Sequence, residues 1–93
     1  MLSDKDTCIL MEKLKKLLEC MVCGTVEVYK LDCLPSIQVV IRSNALIWNY
    51  MIHKFDYVIY NMMLDEYAEI LSMRIFREYK TAILKYYIKD KYL

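Results

Sequence analysis

The chain has 93 residues, 58% hydrophobic and 27% charged, with a formal net charge of +1; an average domain has roughly 45–50% and 25%. That length makes one domain that buries about 60–65% of its unfolded surface, and one glycine, one proline and nine tyrosines exclude a disordered segment. A pI of about 7.6 argues against a dedicated nucleic-acid domain, which usually lies above about 9.

Ser3 is placed to cap a first helix, with Asp6 three residues on as an acidic variant of the capping box. Leu10, Met11, Leu14, Leu17, Leu18 and Met21 then recur at helical spacing, opposite Lys13, Lys15, Lys16 and Glu19. The spacing predicts a helix over about residues 4–22. Gly24, the only glycine, stands where a left-handed terminating residue belongs.

Two alternating runs follow. Val26 and Val28 share one face of a strand, with Thr25, Glu27 and Tyr29 on the other. Ile37, Val39 and Ile41 alternate with Gln38, Val40 and Arg42, and the segment around Pro35 has turn chemistry. An antiparallel hairpin follows from that pattern.

From Ser36 to Leu93 there is no Gly or Pro, which favours helix. Ser43 or Asn44 would cap a second helix carrying Trp48, Met51, Ile52, Phe55, Ile59 and Met62 as its apolar stripe. The competing local reading makes Asp56–Tyr60 a third strand. Asp65 opens the last helix, with Glu66 and Glu69 near its positive end. Its expected core stripe is Tyr67, Ile70, Leu71, Ile75, Tyr79, Ala82 and Tyr86. The expected fold is α+β, a small antiparallel hairpin or short sheet packed against three helices in the order α-β-β-α-α.

The most apolar stretch, residues 44–64, is interrupted by Asn49, His53, Lys54, Asp56 and Asn61, so no membrane span is expected. The amino-terminal segment is charged and unlike a signal peptide, which points to the cytoplasm and to reduced cysteines.

"ECMVCG", residues 19–24, has the outline of a zinc knuckle. A structural zinc site takes four ligands, usually as two close pairs, and Cys20 and Cys23 have no second pair among Cys8, Cys33 and His53. A zinc-stabilised domain held through Cys20 and Cys23 thus stands as a minor alternative, ahead only of redox chemistry. The reading preferred here makes Cys20 a small buried hydrophobe on the helix stripe. Redox chemistry is disfavoured too, because both thiols fall at the negative end of the helix. No phosphate loop, nucleophile elbow or H-E-x-x-H occurs, so neither catalytic residues nor a cofactor are expected.

Charge is unevenly spread. Residues 43–73 carry Lys54 against Asp56, Asp65, Glu66 and Glu69, a net of −3; residues 74–93 carry six basic and two acidic groups, a net of +4. Tyr and Met are enriched where proteins meet, and the chain has nine and seven. The last helix also holds more apolar residues than one small core absorbs. These features suggest a regulatory, inhibitor or adaptor protein that docks on a larger protein and forms a homo-oligomer, a dimer in the simplest case. Arg74, Arg77, Tyr79, Lys80, Ile83, Tyr86 and Tyr87 are the expected contact residues. The alternative uses the same basic and aromatic residues to hold a nucleic acid.

Overall fold

The computed structural model describes residues 4–31, 36–43, 46–52 and 64–92, with the side chains of 5–31, 36–43, 46–52 and 64–86. In chain order the elements are α1 (Asp4–Met21), β1 (Thr25–Leu31), β2 (Ser36–Ser43), β3 (Leu46–Ile52) and α2 (Leu64–Tyr92). The α+β class holds, with a three-stranded antiparallel sheet in the order β1-β2-β3 and two described helices in place of the expected hairpin and three helices.

In α1, Leu10, Leu14 and Leu18 recur every fourth residue, just over one turn, and are fully buried, with Val22 continuing the row just past the helix. Met11, Leu17 and Met21 pack along its margin. The ladder extends one residue beyond Met21, since the Val22 amide donates to the Leu18 carbonyl at 3.0 Å. The expected cap, Ser3, lies outside the described residues.

Gly24 then joins helix to sheet for a reason different from the expected left-handed turn. Its backbone is not in the left-handed region, but a Cβ there would stand 2.3 Å from the Arg42 carbonyl oxygen. Glycine is required because the β2 backbone passes too close for any side chain. The next residue, Thr25, pairs with Arg42 in the first step of the β1–β2 ladder.

The alternation read from β1 and β2 is observed. Val26, Ile37, Val39 and Ile41 face the helices and are buried, whereas Thr25, Tyr29 and Arg42 face outwards and are exposed. The ladder sets Val26 opposite Ile41 and Val28 opposite Val39.

Residues 46–52 form β3, where a helix was expected. The segment Leu-Ile-Trp-Asn-Tyr-Met-Ile is made of β-branched, aromatic and other bulky residues, which pack well on a pleated surface. In register with β2, Trp48 falls opposite Ile41, Tyr50 opposite Val39 and Ile52 opposite Ile37, so one apolar face runs across all three strands. The helical stripe drawn from Trp48, Met51 and Ile52 splits across the two faces of this strand. Ser43 ends β2 and pairs with Leu46, so it does not cap a helix, and the connection between them is two residues long. Asn44, Phe55, Asp56–Tyr60 and Met62 fall outside the described residues, and with them the competing strand reading.

In α2, Tyr67, Ala68, Leu71, Ser72, Ile75 and Tyr79 are buried. Ser72 is accommodated in the core because its Oγ donates to the Glu69 carbonyl at 2.8 Å. Lys13 of α1 pairs with Asp65 in the first turn of α2, an exposed link worth no more than about 1 kcal/mol. The two helices lie side by side on one face of the sheet, α1 packing on β1 and α2 reaching β3 through Trp48 and Tyr50.

On the other face of the sheet polar groups cover the middle of the central strand, while Tyr29 on β1 and Ile47 on β3 stay exposed. Val40 lies there yet is only 5% exposed. Glu27 and Asn49 stand directly opposite it on the neighbouring strands. Arg42 Nε donates to Glu27 Oε1 and Gln38 Nε2 to Asn49 Oδ1, both at 3.2 Å, so two cross-strand pairs screen the valine.

Candidate protein-docking face

The sequence-expected contact residues separate into two groups on α2. Tyr79 is 4% exposed and belongs to the core. Its Oη shares a 2.7 Å hydrogen bond with Ser43 Oγ, and its ring meets Trp48 edge-on at 5.5 Å. Tyr79 therefore joins the helix to the end of β2 and does not face a partner. Ile83 is half-buried against the same core. Both lie on the inward azimuth of the helix, about 200° and 240° around from Arg77 at about 100° per residue. Replacing Tyr79 with phenylalanine is expected to cost about 1 kcal/mol in denaturant unfolding, because Ser43 loses its partner. Trp48, the only tryptophan, provides the fluorescence signal for that titration.

Arg74, Arg77, Lys80 and Tyr86 are exposed. Arg74 is also held, its Nε donating to Tyr50 Oη at 3.2 Å. Lys80 folds back so that its Nζ stands 5.4 Å from the Phe76 ring centroid. The side chain of Tyr87 lies outside the described ones.

Tyr86, expected on the core stripe, is exposed, and two further surface residues lie outside the expected contact set, Ile70 and Met73. Ile70, expected in the core stripe, is 51% exposed; Met73 is 61% and Leu84 58% exposed. With Glu66, Arg77 and Lys80 they recur at steps of four and three, which keeps them on one outward stripe of the helix. Such 4-3 spacing is the seam that one helix offers to another. The signal was present in the sequence, but the helix has two apolar stripes and only packing identifies the inner one. Between Met73, Phe76, Arg77, Lys80, Thr81 and Leu84 lies a shallow groove of about 330 Å³.

The helix is also longer than the sheet needs. Its 29 residues span about 43 Å, whereas the eight residues of β2 span about 26 Å. Tyr79 is its last buried residue among those whose side chains are described. The carboxy-terminal turns thus extend past the core.

The cysteines depart from expectation. Cys8, Cys20 and Cys23 are all exposed free thiols, so Cys20 is not a buried hydrophobe. The buried row of α1 runs through Leu14, Leu18 and Val22, and Cys20 sits about 200° from Leu18. Among the described residues no three potential metal ligands come together. Cys33 and His53 lie outside the described residues. No described helix is long and apolar enough to cross a membrane. Compared with family models, curated proteins and solved structures, the chain matches none of them.

Proposed function

We propose that the protein acts by binding another protein, as a regulator, inhibitor or adaptor, with the outward face of α2 as its docking surface and no chemistry of its own. The supporting observation is the seam of Ile70, Met73 and Leu84, each more than half exposed, on the face of α2 turned away from the core. The fold does not use these side chains, and burying three of them offers the main apolar gain available on that helix. Arg77 and Lys80 lie in the same seam and would steer an acidic partner. Their aliphatic stems still add contact area while their charged heads stay in water. The sheet's outer face also exposes Tyr29 and Ile47, but they stand on opposite edge strands with the ion-paired and hydrogen-bonded side chains over Val40 between them, so they form no continuous seam.

The test is a double variant, Met73→Glu with Leu84→Glu, compared with the wild type in affinity capture from the native host. Capture of the specific partner is expected to fall at least about tenfold while the melting temperature stays within about 2 °C, as for exposed positions. Undiminished capture overturns the reading.

A second reading follows from the exposed Arg77, Lys80 and Lys85, suited to phosphate contact, with the exposed Tyr86 one residue beyond Lys85 as a ring for base stacking. It predicts binding of a labelled single strand that weakens steeply with salt; no binding at low salt eliminates it.

A further inference from the structure

We infer that the partner covering the outward face of α2 is a second copy of the same chain, packed with its α2 antiparallel to the first. This inference rests on the docking role of that face and names its occupant. The argument starts from charge. The seam begins at Glu66 and Glu69 and continues through Ile70, Met73, Arg77, Lys80, Leu84 and Lys85. All are exposed, so each is available to a neighbouring molecule. The acidic groups occupy one end of the seam and the basic groups the other. An antiparallel pair sets each copy's acidic end against its partner's basic end, twice by symmetry. A parallel pair would set acid against acid and base against base.

Geometry supports the same alignment. A two-fold axis crossing the seam between Met73 and Arg77 sets each Met73 against the aliphatic stem of the partner's Arg77, so these two residues share the centre. Ile70 then lies under the partner's Lys80, and Glu69 beside that same ammonium. A two-fold interface of this kind is self-complementary and closed, so assembly stops at the dimer. The seam from Glu66 to Leu84 is about 27 Å long. A helix pair of that length stays below the roughly 1,200 Å² of a standard interface, so the dimer belongs to the weak, micromolar class. Salt weakens it, because its end contacts are exposed.

The experiment uses sedimentation equilibrium on three full-length chains. The wild type is compared with an acid-to-base variant carrying Glu66→Lys and Glu69→Lys, and with a base-to-acid variant carrying Lys80→Glu and Lys85→Glu. The wild type is expected to dimerise between about 10 and 500 µM. Each variant alone is expected to dimerise at least about tenfold more weakly, since the two symmetry-related Glu69–Lys80 contacts become repulsive. An equimolar mixture of the two variants is expected to recover the wild-type affinity within about threefold, which also shows that both chains are folded. A wild-type monomer at 500 µM overturns the dimer and leaves the docking reading to the capture experiment. Variants that dimerise as tightly as the wild type overturn the antiparallel arrangement, as does a mixture no tighter than either variant alone.

Discussion

Ile41→Ala is expected to lower the stability of the fold by about 3 kcal/mol, within the roughly 2–5 kcal/mol found for emptying a large aliphatic site in a tight core. Ile41 is fully buried in the central strand, opposite Val26 on one side and Trp48 on the other. Both neighbours are fixed by ladder hydrogen bonds, and the helices above are tied to each other through Leu10, Leu14, Leu18, Leu71 and Ile75. Such surroundings collapse little into the space vacated, so the cavity term adds to the lost transfer energy. For a chain of this size the melting temperature should drop by about 12–24 °C. Against a total of about 5–15 kcal/mol, that loss leaves a marginal domain. A thermal melt followed by Trp48 fluorescence measures it. A shift under about 4 °C would mean that the sheet and helices do not enclose this residue.

Gly24→Ala is the second large effect, expected at about 1–3 kcal/mol, with Gly24→Val at or above the top of that range. The cause is a specific clash. A Cβ at position 24 would sit 2.3 Å from the Arg42 carbonyl oxygen and 3.0 Å from Ser43 Cβ. Neither neighbour yields easily, because Arg42 is locked in two ladders, opposite Thr25 and Ile47. Relieving the contact means displacing the start of β1 from β2. The damage should therefore show in hydrogen exchange as lost protection at Thr25 and Val26, with α1 less affected. Equal stability of Gly24→Ala and wild type would refute the close approach.

These two positions also show what was legible in the sequence. The alternation of Val26, Val28, Ile37, Val39 and Ile41 defined the inner face correctly because period two in β-branched residues has few other uses. The row Leu10, Leu14, Leu18 was equally plain. Over residues 46–52 the absence of Gly and Pro favours a helix, but it is a weak signal and β3 forms there instead. The connection from Ser43 to Leu46 needs neither, and in a short apolar run the helical and strand patterns overlap. Trp48, Met51 and Ile52 fit a helix stripe, yet Leu46, Trp48, Tyr50 and Ile52 fit a strand face, and pairing with β2 decides between them.

The candidate site was legible only in part. The basic character of the second half of α2 and its surplus of apolar residues were evident from counting. Which apolar residues are surplus was not, because the helix has two stripes and the inner one is selected by packing. Tyr79 was expected at a partner surface for its aromaticity, but its hydroxyl is taken by Ser43 and its ring by Trp48. The pair Cys20 and Cys23 shows the converse. A phase difference of two residues along α1 separates the exposed Cys20 from the expected core position, and the buried place nearby belongs to Val22.

The central claim is that the outward face of α2 meets protein, and photocrosslinking from that face tests it most directly. A benzophenone amino acid replaces Met73 in one variant and Ile47, on the sheet's outer face, in another; both positions are well exposed. After irradiation in the native host, the Met73 variant should give discrete protein adducts that survive nuclease, with this chain or another protein as the second component. The Ile47 variant should give few. Adducts from Ile47 alone, or Met73 adducts that vanish with nuclease, would contradict the account.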